Sequence, residues 1–560
     1  MTSARLKHTA FVAFALLLVP GVLAVSCSAT SNRNEFGDGG AGGEGPGGPG
    51  GPGSGGMGGD IFVGSGGSGG LGGGDPGVDP TTCAEAAAAR TYIGCDFWPT
   101  VVANNVWSIF DYAVVVANAG DQPAEVTVTR GANTIATATV PPNDLAKIYL
   151  PWVPELKGPD ANSCGSATPL SNTVRVPDGA YHLVTTRPVT VYQFNALEYG
   201  PQGGPPGKDW STCPGPECLG ECLSYSNDAS LLLPSTAMTG NYRVTGIAGW
   251  PDANIGSYFA ITGTEDGTSV QVKLSGAGEI VGGGGLPSTG PNGLASFTVN
   301  RGEVVEIVFS PNADPSGSQV FATKPVQVIA GVPCINVPLT SGYCDHIEES
   351  VFPAETLGKR YIVTVPTSPG GGPVGHVVRI YGNVNGTKLT YAGQTPPGAP
   401  LSINAGQVFD LGQVNVNFEI SGDHEFAVGM FQLGSSLIDP FSTEPKGDPA
   451  QSLATAVEQY RLKYVFLAPS DYDESYVDVV QPVGAQLVLD GQPVAQTPTV
   501  ISSGFGVVRL PLGPGKNGSH VLTATEPVGI QVMGYGAQTS YQYPGGLNLA
   551  AIAPPPPPPK

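Results

Sequence analysis

Charge is what this chain of 560 residues has least of. Asp, Glu, Lys and Arg make up 12% of it, about half the usual share. Bases are the scarcer half, 24 against 45 acids, for a formal net charge of −21. No Lys/Arg cluster interrupts that field, which argues against nucleic acid and against docking on anionic lipid. Histidine is nearly missing as well. After His8 come only His182, His346, His376, His424 and His520. None falls in an H-E-x-x-H pattern and no two share a metal-ligand spacing. The phosphate-binding pattern G-x-x-x-x-G-K-[ST] is absent. The single G-x-S-x-G match, Gly66-Gly67-Ser68-Gly69-Gly70, has no strand before it and no helix after it, as a nucleophile elbow requires. No catalytic residue, cofactor or metal site is therefore expected, and the chain reads as non-enzymatic.

Two acidic patches remain, 345–349 (Asp345, His346, Glu348, Glu349) and 471–478 (Asp471, Asp473, Glu474, Asp478). Neither has the Gly at position six and the Glu at position twelve of a calcium loop. Both are expected to be solvated loops.

Long apolar runs are also lacking after the first 25 residues. None reaches the roughly 20 residues needed to span a bilayer. The one run present, residues 10–25, follows Arg5 and Lys7 and ends at Ala24-Val25-Ser26-Cys27. Positive start, apolar middle and small-residue exit are the parts of a secretory signal peptide. A cysteine at the cut resembles a bacterial lipoprotein signal, which makes residues 1–26 the leader and Cys27 the lipidation site. Residues 27–82 follow as a disordered tether of Gly, Pro and Ser. Its reach is about 40 Å by the scaling of Gly-rich linkers. The membrane contact expected is therefore a lipid anchor, with an exported protein on the outer cell envelope, or a secreted one if Cys27 carries no lipid.

Nine cysteines are present. With Cys27 set aside, Cys83, Cys95, Cys164, Cys213, Cys218, Cys222, Cys334 and Cys344 remain. An even number in an exported chain implies a disulfide framework. Spacing favours Cys83–Cys95 and Cys334–Cys344, while the pairing among Cys164, Cys213, Cys218 and Cys222 stays open. The same cluster departs from the paired C-x2-C spacing of zinc sites.

The rest reads as all-β. Short runs rich in Val, Ile, Thr, Tyr and Phe recur between turn pairs such as Asp266-Gly267, Asn385-Gly386 and Asp490-Gly491. Helical periodicity is confined to short stretches at 84–89 and 453–460. A repeat is visible. Each unit opens on a tyrosine, at Tyr92, Tyr242, Tyr361 and Tyr464. Three units close on a proline-led pattern, Arg187-Pro188-Val189, Lys324-Pro325-Val326 and Glu526-Pro527-Val528; the third keeps only Phe426-Ala427-Val428. Unit length favours one β-sandwich per repeat over propeller blades of about 40–50 residues, and closure of the units into one block is left open. The boundaries expected are 83–235, 236–350, 351–450 and 451–553, with a Pro-rich tail at 554–560. Five tryptophans, Trp98, Trp107, Trp152, Trp210 and Trp250, are read first as core residues and second as ligand anchors.

Several stretches carry a family resemblance. They are 92–99 (Tyr92-Ile93-Gly94-Cys95-Asp96-Phe97-Trp98-Pro99), Asn105-Val106-Trp107, 110–118 with Asp111, Val126-Thr127-Val128, Leu233-Pro234-Ser235, 258–268 and Cys344-Asp345-His346. Together they resemble the N-terminal domain family of the IgG Fc-binding proteins, in a bacterial lipoprotein member. The resemblance implies an extracellular, non-enzymatic β module for adhesion or protein binding, with an extracellular protein or glycan as ligand and no assigned ligand-binding residues. Alternatives are a structural envelope protein and, behind it, a secreted polysaccharide hydrolase working through paired carboxylates. The address itself is testable by fractionation. The parent is expected with the membranes and Cys27→Ser in the soluble fraction; identical behaviour of the two would remove the anchor.

Overall fold

A computed structural model describes residues 79–559, apart from 167, 503 and 514–517. The leader, Cys27 and the tether up to residue 78 lie outside the described residues. Strands dominate, and the one longer helix, Cys83–Ala89, is started by a capping box between Thr82 and Glu85. No helix among the described residues is long and apolar enough to cross a membrane.

Four sandwiches follow one another, and each is wound the same way. In the third, the outer sheet runs Arg360–Val363, Phe418–Gly422, Thr387–Gly393, Ser402–Ile403. The inner sheet runs Val408–Val414, His376–Gly382, Phe426–Gln432, Gln451–Leu453. The closing strand serves both sheets. It is Phe418–Gly422 in the outer one and Phe426–Gln432 in the inner one. In the first and fourth sandwiches it is a single strand, His182–Phe194 and Ser519–Gly536, which joins their two sheets into one of seven and one of eight strands. Pro188, Pro325 and Pro527 sit where the chain leaves the outer ladder for the inner one. A residue without an N–H loses nothing there.

The repeated tyrosine locks that crossing. Tyr242, Tyr361 and Tyr464 each donate the phenol hydrogen to the carbonyl just past the crossing, on Val326, Phe426 and Val528, at 2.5 Å. Each phenol oxygen also accepts a backbone N–H from three residues upstream, on Thr239, Gly358 and Arg461. The first sandwich corrects the sequence alignment. Strand register pairs Tyr242 with Val320, Tyr361 with Ile420 and Tyr464 with Leu522; the matching pair is Phe97 with Leu183. Tyr92 lies five residues too early to be the repeat tyrosine. Its ring instead meets the buried Arg461 guanidinium of the fourth sandwich, 5.2 Å from the ring centroid.

The last strand of each inner sheet, Ala229–Leu232, Asp345–Ser350, Gln451–Leu453 and Thr539–Pro544, packs against its counterparts around a common axis. The units are therefore sandwiches that close into a four-bladed, propeller-like ring. Gln451–Leu453 hydrogen-bonds to Phe426–Gln432, so the third sandwich runs past residue 450. Val174–Val176 crosses from the first unit to the edge of the second. The second and third sandwiches keep separate apolar cores. One shared core joins the first to the fourth. In that shared core Tyr192 and Tyr543 stand 4.7 Å apart, and the Tyr192 hydroxyl is bonded to carbonyls of Val465 and Gly545.

On the axis sits Asp228. Its Oδ1 accepts the N–H groups of Ala229 at 2.9 Å and Gln542 at 3.1 Å. Its Oδ2 accepts those of Glu348 at 3.0 Å and Gln451 at 2.9 Å. These are one N–H from each sandwich, at equivalent places in the four axial strands. Burial pushes this carboxyl up, and the four N–H bonds oppose that. An ionised carboxylate offers four lone-pair sites, whereas a protonated one would turn a donor toward donors.

A prediction follows for the tyrosine lock. Tyr361→Phe removes two bonds, leaving the carbonyl of Phe426 and the N–H of Gly358 without them, at a cost of about 1–3 kcal/mol. Urea unfolding of the variant measures it. No loss would mean that the lock is incidental, as Phe97 is in the first sandwich.

Candidate functional site

One end of the axis opens into a pocket of about 510 Å³. Its floor and walls come from the segments that lead into the axial strands. Ser226, Cys344, Asp448 and Gln538 belong to the four lead-ins. The fold therefore brings one residue from every sandwich to this mouth.

Disulfides brace it on two sides. The four bonds among the described residues are Cys83–Cys95, Cys164–Cys218, Cys213–Cys222 and Cys334–Cys344. The open pairing in the middle of the chain is thereby settled as a long loop and a short one. Cys164 and the Cys334–Cys344 pair line the pocket itself. Cys213 and Cys222 pack behind it with Val106, Trp107 and Phe110. A short covalent loop restricts few residues but holds them tightly, as the Cys334–Cys344 hairpin does for Asn336 and Tyr343.

Four aromatic residues, Trp107, Tyr225, Trp250 and Tyr343, line it beside Ala161 and Leu219. Trp107 is buried, and its indole N–H donates to the carbonyls of Ala161 and Asn162 at 3.1 and 3.2 Å. Its ring is therefore fixed in orientation. Trp250 is half-buried, and Tyr343 is 51% exposed at the rim. Tyr225 donates to Glu221 at 3.0 Å. Tyr225, Tyr343 and Gln538 hold left-handed backbone, with φ of 51°, 63° and 55°. Side chains larger than glycine rarely adopt that region, and such positions cluster at ligand clamps.

Three polar atoms in this lining are buried and have no partner: Asn105 Nδ2, Asn336 Oδ1 and Asp448 Oδ2. Their residues are 5%, 7% and 0% exposed. Leaving such groups unpaired costs about 1–3 kcal/mol each. Among the described residues no Lys, Arg or His lines the pocket, and Glu221 and Asp448 are the carboxyls that do. Burial pushes the Asp448 carboxyl up, and the nearby Asp345 carboxyl adds to the rise. The pocket thus offers flat apolar faces, one amide donor and two acceptors, and no positive charge.

The acidic patch at 345–349 is not a solvated loop. Asp345, His346, Glu348 and Glu349 are all buried on an axial strand. Asp345 accepts N–H groups from Asn227, His346 and Ser540 and the Thr539 hydroxyl. The second patch divides. Asp473 is exposed, while Asp478 is buried on the strand Glu474–Pro482, held by Thr367. An alternation of charge in a short run looked like a loop because no apolar residue marked a strand; the polar axis removes that requirement. His182 and His520 pair with Asp96 and Asp490 at 2.8 and 2.7 Å and stack on Trp98 and Phe466. Of the tryptophans, Trp98 and Trp107 are buried, while Trp152, Trp210 and Trp250 are partly exposed. The pocket residues Asn105, Asn336 and Asp448 carry no sequence signal of their own.

The model of the IgGFc binding protein family matches residues 228–534, and the chain belongs to that family. The match begins at Asp228 and runs through the second and third sandwiches into the closing strand of the fourth. Residues 92–128, which carried part of the resemblance, lie before it. No curated protein matches the chain.

Proposed function

We propose that this member of the IgGFc binding protein family is a surface-displayed adhesion module that binds a protein partner through the axis-end pocket. It acts by contact, without turnover. In this reading the leader 1–26 exports the chain, a lipid on Cys27 holds it, and the tether lifts the ring off the envelope. Disulfides persist in oxidising compartments, and the four in the described residues are consistent with that address. The observation that carries the reading is the pocket itself. It is braced by disulfides, ringed by aromatics and lined by buried polar atoms that lack partners. Aromatic anchors in a rigid recess are the usual source of binding energy at protein surfaces.

The test is a binding assay with the full mature chain immobilised through its N-terminus and washed with surface proteins from the organism's neighbours. Saturable capture of a defined partner is expected. The doubly substituted Trp250→Ala/Tyr343→Ala chain, checked by thermal melting for an intact fold, should lose at least about tenfold in affinity. Equal capture by the variant would move the binding face elsewhere. Self-assembly or tight retention on peptidoglycan, with no partner, would replace adhesion by the structural role.

A further inference from the structure

The pocket chemistry points beyond a generic protein contact. We infer that the axis-end pocket takes a neutral saccharide, such as a sugar unit displayed on a partner glycoprotein. The inference rests on the reading of this pocket as the binding face and names what enters it.

Three features select that ligand. First, aromatic residues are concentrated there: Trp107, Trp250, Tyr225 and Tyr343 line one recess, beside Ala161 and Leu219. The C–H face of a pyranose covers such a ring, whereas an aliphatic side chain would fill a rounder cavity. Second, the unpartnered atoms are of both kinds. Asn105 Nδ2 is a donor; Asn336 Oδ1 and Asp448 Oδ2 are oxygens that accept when unprotonated. A sugar hydroxyl both donates and accepts, so a few adjacent hydroxyls answer all three. Ser, Thr, Tyr, Asn and Gln side chains also bring both kinds, whereas a lone cation or anion brings one. Third, among the described residues the pocket lining holds no Lys, Arg or His that would bind an acidic sugar, a phosphate or a carboxylate. The chain's net charge of −21 repels anions in the same sense.

Size agrees. A recess of about 510 Å³ lies inside the usual range for small-ligand sites, about 300–1,000 Å³. It has room for a terminal sugar and part of the next one. Rigidity agrees too. Trp107 is fixed by two carbonyls, and the Tyr343 hairpin by Cys334–Cys344. A preformed site loses less on binding a ligand that is itself stiff.

A cation is the competing occupant, since aromatic faces and carboxyls also suit an ammonium group. The experiment separates the two. The full mature chain is titrated with the methyl glycosides of glucose, galactose, mannose and N-acetylglucosamine, and separately with Nα-acetyl-lysine amide. Intrinsic tryptophan fluorescence and saturation-transfer NMR are the readouts. Saturable binding of at least one glycoside is expected, with no response to the lysine probe. Asn105→Ala should weaken it about tenfold through the lost hydrogen bond, and Trp250→Ala by at least as much, both with parental melting curves. Glycoside binding left unchanged by both variants would overturn the assignment, as would binding of the lysine probe alone. Silence from every glycoside overturns it as well. The broader reading is tested separately by partner capture. If capture still depends on Trp250 and Tyr343 but survives enzymatic deglycosylation of the partner, the adhesion reading stands and the saccharide falls. If capture does not depend on them, both fall.

Discussion

Four backbone N–H groups from four sandwiches end on the two oxygens of Asp228. The repeat makes this need unavoidable. Four like strands arriving at one axis present four like N–H groups there. All four are accepted by the Asp228 side chain. Each left unpaired would cost about 1–3 kcal/mol. A single carboxylate has as many acceptor sites as the axis has donors. One blade supplies it. The same place in the other three blades is held by Ile347, Ala450 and Tyr541.

The rest of the architecture can be read outward from that point. Ring closure brings the first and last sandwiches together, and they share one core where Tyr192 meets Tyr543. The axial strands stay polar, with Ser230, Glu348, Gln451, Ser540 and Gln542 buried beside Asp228. At one end the lead-in segments spread apart and leave the pocket. There the chain uses disulfides and fixed indoles where hydrogen-bonded strands no longer hold the wall. Three unpartnered polar atoms lie on residues of this open end, and others, on His346, Glu349, Ser350 and Gln451, lie along the axial strands.

Much of the fold was legible in the sequence. Short β-branched runs, turn pairs and recurring Tyr and Pro-Val patterns mark strands and repeats, because sandwich cores leave that alternation on the surface of the chain. Two things were not legible. Tyr92 looked like the first repeat tyrosine, yet strand register gives that place to Phe97; an aromatic ring fills the site even without the hydroxyl that made the pattern recognisable. Asp345, His346, Glu348 and Glu349 read as a solvated loop because burial is normally inferred from apolar residues. In a ring with a polar axis, distant residues such as Gln193, Asn195, Ser230, Thr539 and Ser540 supply partners, and no local window contains those. Asp228 was equally silent, a lone acid whose three distant donors come from residues more than a hundred positions away. The pocket inherits the same opacity, since its orphan amides and carboxyl are neighbours only after closure.

The account depends most on Asp228, and urea unfolding of the full chain with Asp228→Asn tests it most directly, with the exposed Asp252→Asn as control. The amide keeps one oxygen and turns an NH2 toward two of the four N–H groups. A loss of about 2–6 kcal/mol is predicted, two unsatisfied donors at about 1–3 kcal/mol each, while Asp252→Asn stays within about 0.5 kcal/mol of the parent. An Asp228→Asn chain as stable as that control would contradict the claim that one carboxylate closes the ring.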